Sequence, residues 1–155
     1  MSILITGGAG FIGSHMVGYL MSQGQDFIVL DNLSNSQLNN LYCLENKFDQ
    51  KIKFYKIDLR DFGQLESFFL QHQINAVIHF AALKSINESI NKPELYFQNN
   101  VEGSQNLFKL IKQRNIKKLI FSSSACVYGE PHYLPIDEYH NLQPLNPYGR
   151  TKVTV

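Results

Sequence analysis

A glycine-rich turn, Thr6-Gly7-Gly8-Ala9-Gly10-Phe11-Ile12-Gly13, limits most strongly what this chain can fold into. It follows a short apolar run, Ile3-Leu4-Ile5, and leads into a helix-like segment ending near Gly24. A strand, a tight turn and a helix in that order offer unpaired helix N–H groups and the positive end of a helix dipole, an arrangement that suits a diphosphate. Gly7 permits the turn, Gly10 lets backbone come close to a phosphate, and Gly13 lets helix and strand pack closely. Ordinary turns also collect glycines, so the spacing G-x-x-G-x-x-G is weak by itself. Its place at the first strand–helix junction is what points to a dinucleotide.

Beyond the turn, short apolar runs alternate with helical patterns. The strand-like runs are residues 3–6, 26–30, 52–56, 76–80 and 118–122; the helical ones are 11–23, 37–47, 63–71 and 94–114. Several runs are almost continuously apolar, as strands covered on both faces must be. In the last helical pattern Leu95, Val101, Leu107, Leu110 and Ile111 recur at helical intervals, with Pro93 suited to a first turn. Strict alternation predicts an α/β fold, a doubly wound parallel sheet of Rossmann type with strand order 3-2-1-4-5. Residues 1–155 read as one such domain, incomplete at its C-terminal end. A new helix starts near Tyr148, after Pro144 and Pro147, and the sequence stops at Val155. The expectation is a fragment truncated before a sixth strand, with strand five left at a sheet edge.

Composition narrows the function classes. The chain is 44% hydrophobic and 17% charged with a net charge of +1, which gives no electrostatic footprint for nucleic acid or an anionic membrane. No apolar stretch approaches the roughly 20 residues of a membrane span. Cys43 and Cys126 stand far apart without metal-like spacing, and two reduced thiols fit a cytoplasmic protein without a bound metal.

Several residues carry candidate chemistry. Asp31 ends the second strand, where a carboxylate can accept hydrogen bonds from an adenosine ribose and repel a 2′-phosphate; Asp31-Asn32 also starts turns readily. Asp58-Leu59 follows the third strand and fits either an adenine edge or a cap for the next helix. His79 reads as a packing histidine, while Phe80, Ala81 and Ala82 leave room for a cofactor at the carboxyl end of the fourth strand. Ser122-Ser123-Ser124 ends the fifth strand, where serines serve substrate hydroxyls or turn chemistry. Tyr148 and Lys152 share a helix face, so the ammonium favours the phenolate and the phenol can exchange a proton with a sugar hydroxyl.

In that order, these residues resemble the extended short-chain dehydrogenase/reductase family, and within it the UDP-glucose 4-epimerase branch. The likeness is carried by residues 6–15, 30–36 and 77–85, by Asn99-Asn100-Val101, by residues 121–129, and by Pro147-Tyr148-Gly149-Arg150-Thr151-Lys152. It implies NAD as cofactor. Gly7, Gly10, Phe11, Ile12 and Gly13 would line the pyrophosphate. Asp31, Asn32, Asn35 and Ser36 would hold the adenosine ribose, and Asp58 and Leu59 the adenine. Phe80, Ala81, Ala82, Lys84, Asn99 and Ser122 would flank the cofactor toward its nicotinamide. The implied catalytic residues are Ser124, hydrogen-bonded to the reacting sugar oxygen, Tyr148 as acid/base, and Lys152, which would grip the nicotinamide ribose and tune Tyr148.

The implied reaction interconverts UDP-glucose and UDP-galactose through a 4-keto sugar. The resemblance covers about half the family's length, so the isolated chain is expected to be inactive. A non-catalytic nucleotide-binding remnant and an epimerase of N-acetylated UDP-hexoses are the alternatives. The family's homodimer is expected to be weakened. Cys126 stands where the family places Thr, and Ala125-Cys126 replace the Asp-Glu pair of a dehydratase.

Overall fold

The computed structural model describes residues 2–155. Five strands form one parallel sheet: β1 (Ser2–Thr6), β2 (Phe27–Asp31), β3 (Phe54–Lys56), β4 (Ile74–His79) and β5 (Lys118–Phe121), in the order β3-β2-β1-β4-β5. That is the order expected from the alternation. The registers Thr6 opposite Leu30, Thr6 opposite His79, and His79 opposite Phe121 bring the carboxyl ends of the central strands to one level. The order reverses beside β1, so the crevice above the sheet opens next to the glycine turn.

Two cores, one per face, follow from the period of two along each strand. Leu4, Ile28, Leu30 and Val77 point toward α3 (Phe62–Gln71) and α6 (Gly103–Gln113), and meet Leu65, Phe68, Phe69, Leu107, Leu110 and Ile111. Ile5, Phe27 and Val29 point the other way, toward α1 (Phe11–Ser22) and α2 (Asn39–Phe48), and meet Val17, Leu20, Met21 and Leu41. All five residues of β2 are buried, which is why its sequence shows no alternation. β3 and β5 are the sheet edges, and Leu119 and Ile120 of β5 are exposed.

The helical reading of 94–114 needs correcting. Three segments run consecutively there: α5 (Pro93–Tyr96), a π-helical stretch (Phe97–Glu102) and α6. A π turn inserts an extra residue per turn. Apolar spacing alone did not register it, because Tyr96 just before it and Val101 within it remain buried. A short helix, α4 (Ile86–Asn91), was also unforeseen. Six residues are too few to show a period, and Ile86 and Ile90 face outward. Its start is marked instead by Ser85, whose hydroxyl accepts from Glu88 N at 3.3 Å. Likewise Asp61, not Asp58, caps α3, accepting from Gln64 N at 3.0 Å.

His79, at the end of the central β4, is 1% exposed. Its Nδ1 lies 2.6 Å from Thr6 Oγ1 and its Nε2 lies 2.8 Å from Ser104 Oγ. Burial first, and then the charge of Lys152, push its pKa down from 6.5 to about 3. The folded imidazole therefore stays neutral where the unfolded one protonates. Stability contributed this way is present above pH 6.5 and is lost as the pH falls toward 3. From pH 7 to pH 5 the expected loss is about 2 kcal/mol. Urea unfolding at the two pH values checks this, and a His79→Gln chain should show a flatter dependence across the same interval.

Candidate functional site

The glycine turn opens a cleft of about 200 Å³ at the carboxyl end of the sheet. Gly7 adopts φ +72°, a left-handed conformation that strains any other residue, and a Cβ there would lie 2.6 Å from Ala81 N. Gly13 packs tighter still, since its Cβ would fall 2.2 Å from Gly7 O and 2.7 Å from Gly8 Cα. The close approach is thus between the first turn of α1 and the loop, rather than the strand. At Gly10 a Cβ would meet only Gly7 O, at 3.3 Å, and would otherwise point into the cleft. Exposed Phe11 and Ile12 border the same opening.

Asp31 takes up the turn role that its sequence position left open. Its carboxylate is 6% exposed; Oδ2 accepts from Ala9 N at 3.0 Å, and Oδ1 accepts from Leu33 N and Ser36 Oγ at 2.9 Å each. It thereby ties the glycine turn to the loop after β2. A carboxylate offers about four lone-pair positions, so one position on Oδ2 stays available to a donor in the cleft. Asn32 Nδ2 donates to Asp58 Oδ2 at 3.0 Å. Arg60 forks onto the same carboxylate, with Nε 3.0 Å from Oδ1 and an Nη 2.7 Å from Oδ2. The Arg60 hydrogen bonds hold the Asp58 carboxyl down at about 2.

Most residues expected around a cofactor surround this one cleft. Gly7, Gly10, Phe11, Ile12 and Gly13 form one wall, and Asp31, Asn32 and Asn35 the next. Asp58 and Leu59 close the end beside β3; Phe80, Ala81, Ala82, Lys84, Asn99 and Ser122 lie toward β4 and β5. Ser36 does not line the cleft; its hydroxyl donates to Asp31, which does. Leu30, Ser34 and Ile57 line it without having been anticipated. Each adjoins an anticipated residue, and adjacency was the signal available.

Ser124, Tyr148 and Lys152 sit just beyond the lining. Ser124 starts a 3-10 turn (Ala125–Val127), and its Oγ accepts from Cys126 N at 3.2 Å, leaving its proton free to be donated. Tyr148 and Lys152 belong to α7 (Pro147–Thr154), which Asn146 caps by accepting from Gly149 N at 2.7 Å. α7 rests directly on the Ser124 turn: a Cβ on Gly149 would lie 2.6 Å from Cys126 O. Tyr148 is largely buried and meets the Tyr96 ring edge-to-face at 6.5 Å between centroids. Lys152 Nζ donates to Ser122 O at 2.7 Å and stands 4.7 Å from the centre of the Phe121 ring. Burial lowers its pKa from 10.5 to about 8. The arrangement therefore puts a hydroxyl donor, a phenol and a desolvated amine beside the β5 end of a cleft suited to a dinucleotide. Among the described residues no cluster of His, Cys, Asp and Glu is set to hold a metal ion, and no helix is long and apolar enough to cross a membrane.

The family model described as GDP-mannose 4,6 dehydratase matches residues 4–155. The chain belongs to that family. The chain is 51% identical to the UDP-glucose 4-epimerase of Yersinia enterocolitica over 156 residues, covering 100% of this chain and 46% of that protein. The chain thus spans about half the length of the curated relatives it matches. Among solved structures it is similar to the Bifidobacterium longum UDP-glucose 4-epimerase in complex with NAD+ and UDP, with a TM-score of 0.94 and 43% identity, over 99% of this chain and 46% of that one. The Campylobacter jejuni UDP-Glc/GlcNAc 4-epimerase is similar too, with a TM-score of 0.94 and 38% identity over the same shares. The family is enzymatic, and neighbours have been crystallised with NAD bound.

Charge on Lys152 opposes folding. Its folded pKa lies below the unfolded value, so at neutral pH the buried ammonium weakens the fold, and the penalty is relieved as the pH rises from about 8 to 10.5. Lys152→Met is expected to stabilise the ligand-free chain by on the order of 1 kcal/mol, after the lost hydrogen bond to Ser122 O is offset. Thermal unfolding at pH 7 measures it.

Proposed function

We propose that residues 1–155 are the NAD-binding domain of a UDP-hexose 4-epimerase, with UDP-glucose and UDP-galactose as the sugar pair. The observation that carries the proposal is the cleft itself. A left-handed glycine turn leaves an open approach at Gly10, Asp31 lines the cleft at the end of β2, and the Ser124–Tyr148–Lys152 group lies beyond its β5 end. The residues fit the cofactor by their donors as well as by space. The first N–H groups of α1 face the diphosphate position, Asp31 keeps one acceptor position for a ribose hydroxyl, and the Lys152 ammonium stands where a second ribose would be gripped.

When bound, NAD would supply the redox chemistry at C4 of the sugar. The chain's own part is proton transfer and orientation. Ser124 donates its free proton to the sugar oxygen and holds it. Tyr148 takes the hydroxyl proton and later returns it. Lys152, one helical turn away, would stabilise the phenolate by its charge.

The 155-residue chain is proposed to bind NAD without turning over UDP-sugar, because rate depends on both reactants being held in register. The likeness to the Campylobacter jejuni enzyme, whose name includes GlcNAc, favours N-acetylated UDP-hexoses as a second reading of the substrate. Isothermal titration of the chain with NAD and NADP tests the cofactor assignment. NAD binding is expected, with NADP weaker. Asp31→Ala should weaken NAD about tenfold or more and narrow its advantage over NADP. No heat and no thermal shift with NAD would leave a folded remnant without the proposed function.

A further inference from the structure

One buried polar chain crosses the molecule from the glycine turn to α7. It begins at Thr6, the residue immediately before Gly7. The direction of each bond follows from the one proton that Ser104 can give. Ser104 Oγ donates to Asn100 O, so it must accept from His79 Nε2–H, at 2.8 Å. His79 Nδ1 is then the acceptor, taking the Thr6 hydroxyl proton at 2.6 Å. From Asn100 the chain continues through the side chain, whose Nδ2 donates to Thr151 Oγ1 at 3.1 Å. Thr151 in turn donates to Tyr148 O at 2.7 Å.

Every member is buried: Thr6 and Thr151 are 0% exposed, His79 1%, and Ser104 and Asn100 2% each. Asn100 is further pinned by Leu83, accepting from its N at 2.8 Å and donating to its O at 2.9 Å. The bonds as drawn need the neutral ring, with the His79 proton on Nε2. A proton added to Nδ1 would have to be accepted by Thr6 Oγ1, and the Thr6 hydroxyl proton would then lose His79 as its acceptor. The groups around the ring are the Phe108 and Phe121 rings, Thr6, Ser104 and the Lys152 charge. No carboxylate among them would favour an imidazolium.

We propose that His79 is a positioning residue for the proposed proton-transfer site. Through Ser104, Asn100 and Thr151, its neutral ring fixes α7, and with it Tyr148 and Lys152, relative to the glycine turn. Packing alone would hold α7 against α4, α5 and the Ser124 turn. The polar chain adds directionality, because a slip of α7 would leave buried donors unpaired.

This inference rests on the cofactor assignment above, and the test separates the two. Thr151→Val keeps the shape and removes the hydroxyl at the far end of the chain; Thr151→Ser restores the hydroxyl; His79→Gln breaks the middle. NAD is compared with ADP, which would occupy only the adenosine half of the cleft. Thr151→Val and His79→Gln are expected to weaken NAD about tenfold while ADP binding stays within about twofold, and Thr151→Ser to resemble the parent chain. Parallel weakening of NAD and ADP, or no change in either, would overturn the inference.

Two measurements on the ligand-free chain keep the test decisive if His79→Gln fails to fold or the parent binds no nucleotide. Ring ¹⁵N shifts should show His79 neutral with its proton on Nε2 from pH 5 to pH 8; a proton on Nδ1 sinks the proposal. The Lys152 side-chain titration, followed by NMR, should move upward in Thr151→Val as α7 loosens and Lys152 gains water, and should stay in place in Thr151→Ser. An unmoved midpoint in Thr151→Val would count against coupling, whatever NAD does. A parent chain that binds neither NAD nor ADP would defeat the proposed function alone.

Discussion

The contact between Gly13 and the loop that precedes it governs the rest of this structure. With Gly7 O where a Cβ of residue 13 would have to be, α1 starts flush against the end of β1. Any side chain there would lift the helix away from the sheet. Two consequences follow at once. The N-terminus of α1 faces the crevice where the strand order reverses, and Val17, Leu20 and Met21 come down on Ile5 and Val29. Site geometry and core packing on that face are set by the same close approach. Asp31 secures it from the other side by accepting from Ala9 N in the middle of the turn.

How much of this was legible in the sequence depended on whether the interaction was local. The sheet order followed from alternation and from the position of the glycine turn, because parallel strands buried on both faces leave a continuous apolar signature. Most residues around the cleft were legible because they follow strands, whereas Asn35, Lys84 and Asn99 came only with the family resemblance. What escaped were features whose cause lies far along the chain. The π turn at Phe97–Glu102 is stabilised by Asn100, which bonds Leu83, 17 residues away, and Thr151, 51 residues away. No window of local spacing contains those partners. Asp61 rather than Asp58 capping α3 is a smaller case, since Asp58 is committed to Asn32, 26 residues away, as well as to its neighbour Arg60.

His79 shows where a correct but bland reading stops short. As a packing histidine it fills space between Phe108 and Phe121. A leucine would fill similar space without needing two partners, and burying an imidazole demands that both nitrogens be satisfied. The fold meets that demand with Thr6 from β1 and Ser104 from α6, so the ring is specified by elements on both sides of it. Apolar packing sets the distance between sheet and helix. The polar pairing sets which residue stands opposite which.

Lys152 presents the opposite balance. Its ammonium is held in a largely apolar environment by one backbone carbonyl and one aromatic face, and its lowered pKa records the cost of burial. A residue chosen for stability alone would not be there. A desolvated cation acts more strongly on a neighbouring phenol than an exposed one does, because less solvent screens the charge. In the proposed proton-transfer role, the burial that weakens the fold would serve the phenol of Tyr148 one helical turn away. α7 can carry that load because it is fixed at three points: the Asn146 cap at its start, Gly149 against the Cys126 carbonyl, and Thr151 beneath Asn100. Gly149 and Thr151 lie on the same buried side of the helix as Lys152, so the contacts that seat α7 also keep the ammonium out of water.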